Sequence, residues 1–333
     1  MKKFVAFLLL ACMMLSLAAC GASASAEYKL GMGVSLSTDS SKENNAQVDA
    51  TVAAVVTDKD GKIVACRLDV AQSKMDVTGG AVDAAKTFKT KMELGDDYGM
   101  VAYGNAIAEW YDQAKAFESY VVGKTAAEVE GLETVVNDSG HNVSTDEALL
   151  AGCTMDITAF KAAVVKACND EKGATFTSGA DFTLGVAAIT AADESTAATD
   201  SEDAQVKMYT EYGAAVVDKD GKILAALTDA TQPKIAVDKN GQITGADFKG
   251  TKRELGADYG MVAYGNAVAE WDAQAKAFAD YTVGKTAAEV AGLETVVNDS
   301  GHNVTTDEAL LASCTMDISG MMAVIALAAN YAR

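Results

Sequence analysis

Apolar and polar positions along this chain fall into blocks that occur twice. Residues 30–36 and 182–189 are short apolar runs of strand type. Each is followed by a stretch rich in Ser, Thr, Asp and Glu, residues 37–45 and 190–203, of the kind that forms exposed loops. Residues 48–56 and 63–70 are β-type runs on either side of Asp58-Lys59-Asp60-Gly61-Lys62, the signature of a hairpin closed by an Asp-Gly turn. The same turn returns at residues 218–222. Another, Asp238-Lys239-Asn240-Gly241, stands between strand signals at 235–237 and 242–244. The period then changes to that of a helix. From Asn105 onward Ile107, Trp110, Tyr111, Ala114, Phe117 and Val121 share one face, and Gly123 is placed to end the helix. Thr125-Ala126-Ala127-Glu128 and Ser144-Thr145-Asp146-Glu147 are capping-box sequences that predict two short helices. Residues 153–157 alternate like a strand. Thr158 is expected to cap a last helix over 159–168, and Ser319 to do the same in the second half.

The blocks repeat with a period of about 160 residues, far longer than that of solenoid repeats. Gly99-Met100-Val101-Ala102-Tyr103-Gly104-Asn105-Ala106 returns as Gly260-Met261-Val262-Ala263-Tyr264-Gly265-Asn266-Ala267. Strands before helices in each copy predict an α+β fold of two tandem homologous domains, each an antiparallel sheet with helices in its C-terminal half. The expected boundaries are 27–168 for the first domain, 169–180 for a polar linker and 181–333 for the second. On this reading residues 27–170 fold alone.

Composition adds an address. The chain has 333 residues, 47 acidic against 27 basic, for a formal charge of −20. Such a surface repels phosphate backbones, which argues against DNA or RNA as a partner, and holds the folded part away from anionic lipid. Met1-Lys2-Lys3 is a basic start. The apolar run at 4–17 is too short to remain in a bilayer, and it ends in Leu17-Ala18-Ala19-Cys20. This pattern resembles the lipobox of bacterial lipoproteins. The resemblance implies a signal peptide over 1–19, cleavage before Cys20, lipid of the palmitate type on Cys20, and a short linker over 20–26. The protein would then be exported and held on the outer face of the cell membrane, since two acyl chains suffice for stable anchoring. Cys153 and Cys314 occupy equivalent places. Cys66 and Cys168 match Ala226 and Ala329, so the cysteines read as small buried thiols and not as a disulfide framework.

Familiar catalytic patterns fail. Gly123-Lys124-Thr125 lacks the earlier glycine of a phosphate-binding loop, with Glu118 in its place. The two histidines, His141 and His302, each lie in an Asn-Asp-Ser-Gly-His-Asn turn and read as solvated loop residues. No spacing fits zinc or an EF-hand, so neither a catalytic residue nor a metal is expected. What stands out is the stretch before the amphipathic helix. Tyr98, Met100, Tyr103, Asn105 and Trp110, with Tyr259, Met261, Tyr264, Asn266 and Trp271 in the second copy, combine aromatic faces, flexible glycines and an expected helix N-terminus; Gln113 adds an orienting amide. That set suits a planar or phosphorylated ligand.

Ala151-Gly152-Cys153-Thr154 and Ala312-Ser313-Cys314-Thr315, each ahead of an Ala- and Val-rich helix, resemble a segment of the FMN-binding domains of bacterial surface lipoproteins. In that family a threonine is joined to FMN through a phosphoester, and tandem domains pass electrons outside the cell. The resemblance implies Thr154 and Thr315 as flavin attachment points, or FMN binding without the bond. Ala151 and Ala312 depart from the family's serine, and Cys153 and Cys314 from its alanine. The expectation is therefore a non-enzymatic, membrane-anchored lipoprotein with two domains binding FMN or another small aromatic ligand in extracellular electron transfer. The alternative is a non-redox lipoprotein that captures a substrate or a surface protein.

Overall fold

A computed structural model describes residues 25–333 apart from Ala180 and Asn266. The expected leader and Cys20 lie outside the described residues. The first repeat opens with three long antiparallel strands, β1 (Ala26–Ser37), β2 (Asn45–Thr57) and β3 (Ile63–Asp76). Helices follow: α1 (Lys91–Leu94), α2 (Met100–Gly104), α3 (Trp110–Val121) and α4 (Ala126–Glu130). A small hairpin, β4 (Thr134–Val136) with β5 (Asn142–Ser144), leads to α5 (Glu147–Leu150) and α6 (Thr158–Cys168). Strand β6 (Ala174–Ser178) then returns to pair with β1, so the sheet order is β3-β2-β1-β6. Residues 174–178 of the expected linker are thus part of the first sheet. The fold is α+β.

The second repeat begins with β7 (Phe182–Ala191) and then breaks each of its next two long strands in two: β8 (Ala204–Lys207) and β9 (Tyr209–Asp218), then β10 (Ile223–Thr231) and β11 (Lys234–Val237). Pro233 stands where the first repeat has Ser73, and a proline cannot donate to the ladder. The result is one sheet in the order β10-β9-β7 and a second, β12-β11-β8, completed by β12 (Ile243–Asp247). The helical half repeats the first: α7 (Lys252–Leu255), α8 (Met261–Gly265), α9 (Trp271–Thr282), α10 (Ala287–Ala291), hairpin β13 (Thr295–Val297) with β14 (Asn303–Thr305), α11 (Glu308–Leu311) and α12 (Ser319–Asn330).

The two main sheets pack face to face. Leu30, Met32, Val34, Val52, Ala54 and Val56 of the first meet Leu184, Val186, Tyr212, Ala214 and Val216 of the second in one buried cluster. Each outer face is covered by its own helices: Ala53, Val55 and Leu68 pack on α3 and α6, and Ile223 and Ala226 on α9 and α12. The order of layers is helices, sheet, sheet, helices. Strands buried on both faces read as unbroken apolar runs, as 52–56 does. Glycines set the spacing. A Cβ on Gly31 would stand 1.9 Å from the Ala167 carbonyl oxygen, and one on Gly185 equally close to that of Ala328, so only glycine lets α6 and α12 lie this near the strands.

Several local expectations change. The amphipathic helix starts at Trp110, not at Asn105, with Glu109 as its N-cap; Ile107 lies before it and is exposed. Asn105 ends α2 instead, in the left-handed region at φ 50°. Residues 153–157 form no strand. The second short helix is capped by Asp146, which accepts from the Ala148 and Leu149 amides, and not by a box on Ser144. Neither Thr158 nor Ser319 is a cap. Asp156 and Asp317 accept their amides at 2.8 Å and hold the first turns of α6 and α12. The Thr125–Glu128 box forms as expected, and further boxes that the sequence reading did not name form at Thr90, Thr251 and Thr286. Among the described residues no helix is long and apolar enough to cross a membrane.

Candidate functional site

A cleft of about 910 Å³ lies in the second repeat between β9, α7, α8, the start of α9, the β13–β14 turn and the start of α12. Its wall begins with α7. Thr251 and Glu254 form a reciprocal capping box there, with the Glu254 amide donating to Thr251 Oγ1 at 3.1 Å and the Thr251 amide to Glu254 Oε2 at 2.9 Å. The buried Asp229 of β10 accepts the Arg253 amide at 3.0 Å and ties α7 to the sheet. Lys252, on the first turn, is thereby pressed inward and only 7% exposed. Its ammonium lies 4.7 Å from the ring centre of Tyr209, 4.8 Å from that of Tyr259 and 5.3 Å from that of Trp271. It donates one hydrogen bond, to Tyr209 Oη at 3.2 Å, and Tyr209 Oη donates to Glu211 Oε1 at 3.3 Å.

Burial governs the charges of this group. It pushes Lys252 down to about 8, against the pull of Glu211 and Asp229. It raises the Glu211 carboxyl, which Lys252 opposes, and raises the Tyr209 phenol with help from Glu211. Glu211 has room only because residue 320 is glycine: a Cβ there would fall 1.4 Å from Glu211 Oε2. The first repeat has Thr51 and Ala159 at these two places, and Asp49 in place of Tyr209. Asp49 is engaged by the side-chain amides of Gln47 and Gln72. A Lys-Tyr-Glu chain within aromatic walls is therefore a feature of the second repeat, although Lys91 keeps its place over Tyr98 at 4.7 Å and Trp110 at 5.8 Å.

Of the residues singled out in the sequence, the cleft brings together Tyr259, Met261, Trp271 and Thr315. Tyr264 does not line it and is 90% exposed, as is Tyr103. Asn266 lies outside the described residues. In the first repeat Trp110 is buried edge-on against Phe160, with Tyr98 and Met100 packed on the same core, and Asn105 has only its turn-ending role. The expected anion site ahead of the main helix is already filled. Glu109 accepts the Met100 and Val101 amides at 2.9 and 3.0 Å, and Glu270 accepts those of Met261 and Val262 at 2.8 and 3.2 Å.

Thr154 and Thr315 are positioned by buried amides. Gln274 donates to the Ala269 carbonyl at 2.7 Å and accepts the Thr315 amide at 2.9 Å, with Thr315 Oγ1 3.4 Å away. Gln113 holds Thr154 in the same way, at 2.9 and 3.2 Å. His302 sits exposed at the mouth of the cleft on a turn closed by Asn298. Lys252, Tyr209 and Glu211 escaped sequence reasoning. The signal for the lysine was its place in the Thr-Lys-x-Glu-Leu box of both repeats. A tyrosine and a glutamate two apart on a strand gave none. Cys66, Cys153 and Cys314 are buried free thiols and Cys168 is half-buried. Among the described residues no cluster of His, Cys, Asp or Glu could hold a metal ion.

No protein-family model matches the chain, and no solved structure matches it. A chlorophenol reductase of Desulfitobacterium hafniense is 32% identical to it over 126 residues, or 32% of this chain. The chain spans 38% of that protein's length.

Proposed function

We propose that this protein is an exported lipoprotein, anchored by lipid on Cys20 to the outer face of the cell membrane, whose second repeat binds a planar aromatic ligand. The observation that carries the reading is the meeting of Tyr209, Tyr259, Trp271 and Thr315 around one cleft. Its size falls within the range of small-molecule sites, roughly 300–1,000 Å³. FMN is the favoured ligand. The rings supply faces for an isoalloxazine, and Thr315, half-buried at the wall and held by Gln274, is the residue that the sequence resemblance implies for flavin attachment. Bound FMN would supply electron transfer, and the aromatic wall would orient it. The similar reductase, named for a chlorinated phenol, supports both a redox setting and an aromatic guest.

A second reading, a non-redox lipoprotein that captures a substrate or a surface protein, is favoured by the exposed Val268 on the cleft wall and the exposed Val262 and Tyr264 of α8. The absorption spectrum of protein purified from its native host separates the two. A flavin spectrum in the folded protein, lost after Thr315→Ala or on unfolding, supports the first. A colourless protein that binds neither FMN nor any small aromatic contradicts it. The anchor has its own test: Cys20→Ala should release the protein from membranes or leave its precursor uncleaved, and a wild type recovered without lipid from the medium would refute it.

A further inference from the structure

We infer that, among aromatic ligands, the second-repeat cleft prefers one that carries an oxyanion on or beside its planar ring, and that Lys252 is the residue that selects it. The inference rests on the reading above that this cleft binds an aromatic compound. The ammonium of Lys252 has three protons to place. One goes to Tyr209 Oη. The surrounding rings of Tyr209, Tyr259 and Trp271 accept its charge through their faces, but among the described residues it makes no salt bridge within 4.0 Å. A cation withdrawn from water without a counter-ion is costly, and an oxyanion from the cleft would relieve that cost.

Of the acidic groups nearby, Asp193 is exposed on the cleft wall and is not among the groups that act on the charge of Lys252; the others are engaged elsewhere. Asp317 accepts the Asn303 and Ser319 amides, Glu194 pairs with Lys207 at 3.4 Å, and Asp229 accepts the Ala230 and Arg253 amides. Glu211 takes the Tyr209 hydroxyl, and burial favours its neutral form. Lys252 is thus the cation left to meet a ligand, inside walls that demand a flat ring. Charge gives the preference and the rings give the shape, so a neutral aromatic of equal size should bind less well. A charge-assisted hydrogen bond of this kind corresponds to about ten- to a hundredfold in affinity.

The test uses the full chain and a matched pair of probes, 2,4,6-trichlorophenol, ionised at neutral pH, and its O-methyl ether, read by tryptophan fluorescence. Wild type should bind the phenolate about ten- to a hundredfold tighter than the ether. Lys252→Met should abolish the preference, and Lys252→Arg should keep it. As pH rises through about 8, Lys252 loses its proton and phenolate affinity should fall while ether affinity does not. The ionisable groups facing it are Tyr209 and Glu211 on β9, Asp229 on β10, Asp193 and Glu194 after β7 and Tyr259 ahead of α8, with His302 and Asp317 across the cleft. If Lys252→Met fails to fold, Lys252→Arg and the pH series decide. Equal affinity for both probes, or a preference that survives Lys252→Met, overturns the inference and leaves the aromatic cleft standing. Binding of neither probe, nor of riboflavin, overturns both.

Discussion

At the scale of residues, the helical halves are organised by two buried carboxylates that hydrophobic patterning does not reveal. Asp69 and Asp229 occupy equivalent places on β3 and β10 and accept the amides of Met92 and Arg253, fixing the helices that carry Lys91 and Lys252. Burial pushes each up to about 6 from the ordinary aspartate value of 3.8. The sign follows from linkage. Between those two values the folded state binds more protons than the unfolded, so stability falls as pH rises through the window and is lowest, for this contribution, above about 6. Each group accounts for at most about 3 kcal/mol. Asp69→Asn keeps an oxygen for the Val70 and Met92 amides and removes the titration. Urea unfolding of this variant from pH 7 down to pH 4 should show a shallower gain in stability than wild type, and an unchanged slope would refute the assignment.

Elements were legible where local chemistry decides them and obscure where the partner decides. The hairpin at 58–62 formed as read because Asp58 accepts the Asp60 and Lys62 amides and Gly61 takes φ 74°, all within five residues. The helix start was misplaced because Glu109, an unremarkable glutamate in sequence, spends its carboxylate on the amides of α2, nine positions upstream in the chain at Met100. The tyrosines of the glycine-rich stretch divided for the same reason. Tyr259 meets Lys252, whereas Tyr264 lies over Gly260, facing solvent. Close approach of helix and strand was equally hidden, since Gly185 looks in sequence like a weak point in a strand. Gly185→Val should collide with the Ala328 carbonyl and cost about 1–3 kcal/mol or more, as overpacking does. Gly245→Val, on β12 where an added Cβ would meet nothing within 4 Å, should cost little in the same thermal melt.

The whole molecule departs most from what repetition suggests. Tandem copies read as two beads on a polar link, yet the link supplies β6 and the copies share the cluster between their sheets. Across the same seam Arg253 meets Asp170 at 3.0 Å with both side chains nearly buried, and Lys172 meets Asp272 at 2.7 Å. Sequence patterns mark a face as apolar without naming what covers it, which is why the shared core was not visible. A fragment of residues 27–170 exposes the inner face of its sheet and lacks β6. It should show no cooperative monomeric transition and should self-associate in sedimentation, whereas a monomer with a sharp melt would refute the shared core. The repeats also differ in the cleft region: the second carries Tyr209, Glu211 and Gly320, and the first does not. The chain has two tryptophans, Trp110 in the core of the first repeat and Trp271 at the cleft of the second. Titration of the full chain with FMN, and with a chlorophenol in parallel, read by the emission of wild type, Trp110→Phe and Trp271→Phe, tests most directly whether the second repeat holds an aromatic ligand. Saturable quenching with one ligand per chain, kept in Trp110→Phe and lost in Trp271→Phe, is the expected result; no saturable quenching, or quenching confined to Trp110, would contradict it.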